Sequence, residues 1–233
     1  MHDPMKSAAL RTVKLVDATI DDIGPDTKSL GRHIRDLRLR KGLALRELAR
    51  RSNISPSLIS QIEHGKGAPS VKTLYALVAV LEVPIAEIFG PPDDDAILAG
   101  AASPYPAWHG RTEASTTGGP VQKGDTRRTI RLEHGFRWEC LTRGFDPNAQ
   151  FIELIIDVGG GAEREAEMKI HEGKEYGVVL KGRLGLALAF DTYILNPRDS
   201  IGFDSNIPHA MWNAGSEPMH AIWLEFGSNA PRS

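Results

Sequence analysis

The sequence contains one cysteine, Cys140, and no run of about 18 consecutive apolar residues. A single thiol cannot form an internal disulfide, which is compatible with a reducing compartment. The absence of a long apolar run excludes a transmembrane helix. Met1 to Asp26 also lacks the apolar centre of a signal peptide and carries five aspartates, so we expect a cytoplasmic protein with no membrane partner.

Several catalytic signatures are absent as well. The chain has no glycine-rich phosphate loop, no Ser/His/Asp constellation and no redox pair of cysteines. Its 41% apolar and 25% charged residues are ordinary for a globular protein, and 233 residues suit one large domain or two of average size.

Charge is distributed unevenly along the chain. Residues 29–90 carry ten Lys and Arg against five Asp and Glu, whereas Pro91 to Ser233 carries fourteen against twenty. The overall net charge of −2 conceals this asymmetry. A basic segment joined to an acidic one is expected when only one part of a protein meets a polyanion.

The segment from Ser29 to Phe89 has helical periodicity, since apolar residues recur every three or four positions. Ser55-Pro56 and Pro69-Ser70 supply N-caps and helix-start prolines, and about five short helices are predicted. Residues 45–65 are predicted to form two helices joined by a tight turn.

The pattern changes after this segment. Residues 91–120 hold five prolines and an acidic run, which is typical of a linker. Short strand-like segments separated by turn residues then predict an antiparallel barrel or sandwich. The predicted strands are Thr129–Leu132, Arg137–Thr142, Phe151–Val158, Glu167–Ile170, Glu175–Lys181, Leu184–Phe190, Ser200–Phe203, His209–Asn213 and His220–Phe226. The predicted organisation is a tail (1–28), a helical domain (29–90), a linker (91–120), a strand domain (121–227) and a second tail (228–233).

Polar side chains occupy one side of the second helix in the 45–65 segment. A helix fits the DNA major groove, where Gln61 can bond an adenine edge and the hydroxyls of Ser57 and Ser60 can bond either base type. Basic residues and helix-start hydroxyls nearby are placed to touch phosphate, which gives affinity and register. The predicted DNA-binding set is Arg46, Ser55, Ser57, Ser60, Gln61, His64, Lys66, Ser70 and Thr73.

The segment from Leu30 to Phe89 resembles the Cro/CI-type helix-turn-helix regulators, also called the XRE family. The resemblance is carried by Leu-Arg-Glu-Leu-Ala at 45–49, Leu-Ile-Ser-Gln-Ile-Glu-His-Gly at 58–65 and Pro-Ser-Val-Lys-Thr-Leu at 69–74. It implies sequence-specific binding to double-stranded DNA. Many relatives carry glutamine at the position of Leu45, which puts one phosphate contact in doubt. The alternative is a helical bundle that has lost DNA binding.

Three residues of the strand region have the chemistry of a metal site. His171 and Glu175 flank a predicted turn, and His209 begins a later strand. Two imidazoles and a carboxylate on one face suit non-haem Fe(II), and also Mn, Ni or Zn. The alternative is that each is an ordinary polar residue at a strand end.

The surrounding spacing resembles the two motifs of the cupin superfamily, over roughly Val121 to Phe226. The resemblance implies an all-β cupin (jelly-roll) barrel after the all-α bundle, with His171, Glu175 and His209 as three of four metal ligands. The fourth falls on Lys169, which cannot bind a metal while protonated and would instead favour an anionic effector. Arg198 and Asn206 replace glycines that are usual in that family. We expect Lys169 and Met211 to contact the effector, and Trp138, Trp212 and Trp223 to belong to the core or a dimer interface.

The order of the two domains resembles a class of bacterial transcription factors in which the barrel dimerises and senses a small molecule. The resemblance implies a homodimer that reads a palindromic operator with two heads about 34 Å apart, and a protein that is not an enzyme. The main rival is a mononuclear non-haem iron cupin enzyme of the hydroxypropylphosphonate epoxidase type, which is similar in architecture. A third reading is a DNA-binding protein whose barrel only dimerises.

Overall fold

The computed structural model describes residues 27–90, 121–144, 146, 148–161 and 168–227. Residues 1–26 of the predicted first tail, the whole predicted linker and the predicted second tail lie outside these ranges. None of the helices in the described ranges combines the length and apolar character that a membrane crossing requires.

The N-terminal part is helical, as predicted. Four α-helices are followed by a 3-10 helix, so the last of the five predicted helices has the tighter form. The elements are α1 (Thr27–Arg40), α2 (Leu45–Ser52), α3 (Pro56–Glu63), α4 (Val71–Leu81) and the 3-10 helix (Ile85–Phe89).

The helix starts follow the predicted capping residues. The side chain of Ser55 accepts a hydrogen bond from Leu58 N, with Pro56 in the first turn of α3, and the side chain of Ser70 accepts one from Thr73 N. The residues at the predicted three- and four-residue spacing are buried together in the helical core: Leu30, Ile34, Leu37, Leu74, Leu77, Val78 and Leu81.

The C-terminal part is built of nine antiparallel strands arranged in two sheets. One sheet has six strands in the order β1-β2-β3-β9-β4-β7, and the other has three in the order β6-β5-β8. Two short 3-10 turns, at Gly124–Thr126 and Glu133–Gly135, flank the first strand. The strands are β1 (Thr129–Arg131), β2 (Phe136–Cys140), β3 (Ala149–Ile156), β4 (Lys174–Lys181), β5 (Leu184–Leu188), β6 (Asp191–Leu195), β7 (Ser200–Asp204), β8 (His209–Asn213) and β9 (Met219–Phe226).

Strand alternation decides which side chains face the interior. In β4, Glu175, Gly177 and Val179 are buried, whereas Tyr176 and Leu180 are exposed, as the sequence predicted. The same alternation buries Ala221, Trp223 and Glu225 in β9. The inner faces of both sheets belong to one buried apolar cluster with the helices.

One predicted strand is absent and one strand was missed. The predicted strand Glu167–Ile170 is reduced to an isolated bridge between Lys169 and His209, and Glu167 itself lies outside the described residues. The strand β6 was missed because the β5–β6 hairpin turns at Ala189-Phe190, without glycine, proline or asparagine. Ala189 takes a φ of +49°, a conformation that L-residues rarely adopt.

Arg198 also occupies a left-handed position, with a φ of +78°. The cupin motif usually has glycine at this position. The backbone therefore keeps the glycine-like turn although the residue has changed.

Two hydrogen bonds join the strand part to the helical part. Glu133 N donates to Pro69 O, just before α4, at 3.0 Å. Arg128 Nη1 donates to Gly90 O, just after the 3-10 helix, at 2.6 Å. These contacts join the strand part to the residue before the α4 cap and to the residue after the 3-10 helix.

Candidate functional site

The helices α2 and α3 form the predicted helix-turn-helix. Asn53 follows α2 in the left-handed conformation, which asparagine tolerates well, and Ser55 then starts α3. Leu48, Ala49, Ile59 and Ile62 are buried between the helices.

A buried ion pair holds α3 in place. Arg38 of α1 donates from Nε and Nη2 to the two carboxylate oxygens of Glu63, at 2.6 and 2.8 Å, and from Nη1 to Leu43 O at 2.9 Å. Both side chains are almost fully buried. Glu63 raises the pKa of Arg38. This pair could not be predicted from the sequence, because the two residues are 25 positions apart and lie within otherwise ordinary charged segments.

The opposite side of α3 faces solvent. Ser57, Gln61 and His64 are exposed, and Ser60 is half-buried. Arg46 and Lys66 are exposed on the same helix-turn-helix. The structure therefore gathers the predicted DNA-binding residues of α2 and α3 on the accessible side of the motif, although their contacts with bases and phosphates stay predictions.

The predicted hydroxyl contacts have additional local partners. Ser55 and Ser70 use their side-chain oxygens as helix caps, and Ser70 Oγ also donates to Thr73 Oγ1 at 3.0 Å. The Thr73 hydroxyl proton is therefore better placed to reach a phosphate than that of Ser70.

A cavity lies between α4 and the strands of both sheets. It contains about 40 Å³ of space accessible to water, and its walls are mainly apolar and aromatic. Its polar groups are few, as in many ligand sites. The lining residues are Val71, Lys72, Tyr75, Phe136, Trp138, Ile152, Leu154, Lys169, His209, Ala210, Met211, Trp223 and Glu225.

The predicted metal ligands come together beside this cavity. His171 precedes β4, Glu175 lies on its inner face and His209 begins β8, so three elements supply one side chain each. One ligand atom from each residue lies within 4.8 Å of the others. His171 Nε2 is 2.9 Å and His209 Nε2 is 2.8 Å from Glu175 Oε1.

Glu175 is the centre of the cluster and is fully buried. Lys169 Nζ donates to its Oε1 at 3.3 Å, and Trp223 Nε1 donates to its Oε2 at 2.6 Å. Burial alone would raise the pKa of Glu175, but Lys169 and the two imidazoles hold that pKa well below its usual value. The carboxylate is therefore ionised at neutral pH.

The protonation of His209 suits a ligand role. Burial lowers the pKa of His209, Glu175 opposes this effect and Lys169 adds to it. The ring is therefore neutral at neutral pH, which is the form of histidine that binds metals.

A second layer of side chains surrounds His171. The ring of Tyr75 stacks on the His171 imidazole, with centroids 4.7 Å apart and planes inclined by 18°. The Tyr75 hydroxyl donates to Glu225 Oε2, and Glu225 Oε1 lies 3.4 Å from His171 Nδ1. Burial, and then the charges of Glu225 and Glu175, raise the pKa of Tyr75 well above its usual value, so the hydroxyl remains a donor.

The side chains of His171, Glu175 and His209 are suitable donors for a metal ion, but the positive charge of Lys169 beside them opposes its binding. His171 Nε2 and His209 Nε2 are buried and lie 2.9 and 2.8 Å from Glu175 Oε1, so two imidazole nitrogens and a carboxylate oxygen converge on one point. Lys169, at the fourth ligand position of the resemblance, places an ammonium beside the same carboxylate. A metal ion must therefore compete with Lys169 for Glu175.

The sequence analysis identified some of these residues and missed others. Lys169 and Met211 line the cavity, although their contact with an effector stays a prediction. Trp138 and Trp223 are buried, as expected of core residues. They also line the cavity, a role that the sequence did not predict for them. Tyr75 and Glu225 were missed. Strand alternation from Trp223 would have placed Glu225 inside, whereas no local signal distinguishes Tyr75 from other helix residues.

The chain was compared with known protein families. The helix-turn-helix model HTH_3 matches residues 34–88, and the cupin domain model Cupin_2 matches residues 154–225. The HTH-type transcriptional regulator SutR of Escherichia coli is 23% identical over 187 residues, which cover 80% of this chain and 88% of SutR. The uncharacterized HTH-type transcriptional regulator y4dJ of Sinorhizobium fredii is 37% identical over 67 residues, which cover 29% of this chain and 87% of y4dJ.

A solved structure has the same fold. An HTH_3 family transcriptional regulator from Vibrio cholerae has a TM-score of 0.56 at 18% identity, covering 88% of this chain and 97% of that one. Fe(II) hydroxypropylphosphonic acid epoxidase matches with a TM-score of 0.40 at 18% identity, over 86% of this chain and 99% of that one, which is too distant to carry an argument. The protein belongs to the helix-turn-helix family of transcriptional regulators, and is a DNA-binding regulator that carries a cupin domain.

Proposed function

We propose that this regulator binds a palindromic operator as a homodimer, and that the cavity beside Glu175 receives a small-molecule effector that changes operator affinity. The observation that carries the proposal is the buried group of Lys169, His171, Glu175 and His209 at the edge of an otherwise apolar cavity. Buried charges are costly unless paired, so such a group in a regulatory domain favours a binding role. We propose a cytoplasmic location, where the operator is accessible.

The recognition helix is α3. Its exposed side would enter the major groove, with Gln61 on an adenine edge and Ser57, Ser60 and His64 on neighbouring bases. Arg46, Lys66 and the hydroxyls of Ser55, Ser70 and Thr73 would contact phosphates. The buried Arg38–Glu63 pair supports this role because it holds α3 against α1.

Dimerisation is supported by an apolar stripe on the outer face of the six-stranded sheet. Phe151 of β3 pairs with Leu224 of β9, which pairs with Tyr176 of β4. Phe151 is 38% and Tyr176 is 48% exposed. A second copy of the chain would cover this stripe and double the number of DNA contacts, and a twofold axis would match a palindromic operator. We take the two sheets as the halves of one jelly-roll barrel that carries the cavity inside and the stripe outside.

The effector class follows from the polar end of the cavity. Glu175 already accepts from Lys169 and Trp223, and Glu225 accepts from Tyr75. Two cationic side chains, Lys169 and Lys72, line the same cavity. We propose a small carboxylate with an apolar body, its head near Lys169 and its body against Met211 and the aromatic walls.

A divalent transition metal fits the same site. His171, Glu175 and His209 would hold the ion, and Fe, Mn, Ni and Zn all accept such a donor set. The bound ion would supply open coordination positions for an oxygen of the effector. Lys169 would then no longer be paired with Glu175, and its ammonium would be a second positive group facing the carboxylate of the effector.

We propose that the protein is a regulator and not an enzyme. The epoxidase resemblance shares the His, Glu and His set, but Lys169 competes with an ion for the only carboxylate of that set. The exposed polar face of α3 in a basic segment is required for DNA binding, whereas a lid over an active site would not need it.

The test is selection of bound fragments from a random-DNA library by the full-length protein at physiological salt. Enrichment of a palindrome with half-sites about one helical turn apart supports the dimeric regulator. Recovery of no preferred sequence contradicts it. Small carboxylates are then added, with and without each of the four metals, to the protein on the selected operator. If none changes operator affinity, the proposed carboxylate effector is wrong, and the reading in which the cupin domain only dimerises gains support.

A further inference from the structure

One wall of the effector cavity belongs to the DNA-binding domain. Val71, Lys72 and Tyr75 of α4 line the cavity together with Lys169 and Glu225 of the cupin domain. A molecule that fills this space therefore touches both domains at once.

Tyr75 makes the most specific contacts across this boundary. Its ring stacks on His171, lies 5.0 Å from Lys169 Nζ and meets the Trp138 ring edge-on at 6.4 Å. Its hydroxyl donates to the buried Glu225, 150 positions away in the chain. One side chain thus combines a ring stack, a cation-π contact and a hydrogen bond to a charged acceptor.

The same helix is firmly fixed in the DNA-binding domain. Leu74, Leu77, Val78 and Leu81 of α4 are buried in the hydrophobic core and are not part of the cavity lining. Ser70 is the N-cap of α4 and Thr73 lies in its first turn. Both are predicted to touch phosphate. A shift of Tyr75 cannot be absorbed by a flexible loop, because Tyr75 is only two residues from Thr73.

We propose that Tyr75 couples the effector cavity to the operator, because it fixes the position of α4 through His171 and Glu225. This inference rests on the proposed function and adds the route by which the effector acts. A ligand near His171 either presses on the Tyr75 ring or strengthens its stack, and α4 follows together with its phosphate-contacting end.

Coupling between two binding sites is reciprocal, so DNA must act on the cavity as the effector acts on DNA. The effector need not be known in order to test this. The chain has four tryptophans, of which Trp138 and Trp223 line the cavity, whereas Trp212 packs against Gly185 in the other sheet. Fluorine placed on the indole rings therefore reports on two rings of the cavity lining and on one ring outside that lining in a single spectrum.

The experiment is ¹⁹F NMR of full-length, 5-fluorotryptophan-labelled protein, with and without the selected operator. Single Trp→Phe variants assign the resonances. In the wild-type protein, the operator is expected to shift the Trp138 resonance and to leave that of Trp212 in place. The shift is expected to be lost in Tyr75→Leu, and Tyr193→Phe is the control because Tyr193 lies in β6 of the three-stranded sheet.

Tyr75→Phe separates the two contacts. Loss of the Trp138 shift in this variant assigns the coupling to the hydroxyl and Glu225, whereas retention, with loss in Tyr75→Leu, assigns it to the ring stack. An operator that leaves Trp138 unmoved in the wild-type protein overturns the inference, and so does a shift that survives in both Tyr75 variants. Failure of the proposed function would be seen earlier, as the absence of any selected operator.

Discussion

The Arg38 guanidinium and the Glu63 carboxylate form a two-point ion pair between α1 and the end of α3, with N–O distances of 2.6 and 2.8 Å. The pair joins α1 to the end of α3, and Leu43 O accepts a third bond from Arg38. The orientation of the DNA-reading surface therefore depends on a buried charge pair as well as on apolar packing.

Removal of one partner from this pair is expected to destabilise the helical domain. Arg38→Met leaves the Glu63 charge buried without its partner, which costs about 3–5 kcal/mol. Urea unfolding followed by far-UV circular dichroism measures the loss. The matched control is Lys41→Met, which breaks the exposed Lys41–Glu82 contact and should cost less than about 1 kcal/mol. Equal losses in the two variants would contradict a special role for the buried pair.

Gln61→Ala is expected to relax operator preference at one base position of each half-site. The cost is about 1–3 kcal/mol at that position and little elsewhere, because only one bidentate base contact is removed. Competition binding with operators substituted at single positions measures it. Gln122→Ala, in the cupin part of the chain, is the control. An unchanged preference in Gln61→Ala removes Gln61 from the reading set.

Lys66→Ala is expected to weaken binding to all sequences alike. Lys66 is exposed just beyond α3, where a phosphate contact contributes charge and no base choice. The slope of log affinity against log salt should fall by about one unit. Titrations of the operator and of a scrambled sequence over a range of salt concentrations check this, and a loss confined to the operator would contradict the phosphate role.

The purified protein is expected to contain near-stoichiometric divalent metal, which His209→Ala loses. Elemental analysis measures the content. His220→Ala is the control, since His220 contacts Glu153 and is not one of the three clustered ligands. Metal that persists in His209→Ala, or a metal-free wild-type protein, would assign the cluster to structure or to direct effector binding.

Lys169→Met should tighten Co²⁺ binding, because the ion no longer competes with an ammonium 3.3 Å from Glu175. Absorption titration of the wild-type protein and the variant compares the two affinities. Weaker binding in the variant would mean that Lys169 supports the ion and does not oppose it.

Arg198→Gly is expected to stabilise the cupin domain by less than about 1 kcal/mol. The left-handed backbone at φ +78° costs an arginine about 1–2 kcal/mol, and the greater freedom of glycine in the unfolded chain offsets part of the gain. Urea unfolding followed by tryptophan fluorescence measures the difference. Arg131→Gly, at an exposed position in the extended strand β1, should destabilise by about 0.5–1 kcal/mol. Destabilisation in Arg198→Gly would mean that the arginine side chain has a role of its own.

The sequence predicted the elements whose signals are local. Helical periodicity and the Ser55 and Ser70 caps were sufficient for the N-terminal domain, and strand alternation placed Glu175 on the inner face of β4. The β5–β6 hairpin was missed because Ala189-Phe190 carries none of the residues that usually mark a turn. Its positive φ is imposed by the pairing of the strands and not by local preference.

The candidate site was only partly predictable for a related reason. His171, Glu175 and His209 follow a motif spacing, so the sequence identified them. Tyr75 approaches from another domain and Glu225 from the last strand, and their roles depend on how α4 rests on the sheet. Similarly, nothing in the sequence near Arg38 or Glu63 indicates that the two would be buried together.

The position of Lys169 has a consequence for how the protein matures. Its ammonium supplies a positive charge to the buried Glu175, so this carboxylate is neutralised within the polypeptide itself. The charge of Glu175 is thus offset in the fold without a bound ion. A divalent ion that bound here would replace Lys169 as the partner of Glu175 in a domain that is already folded.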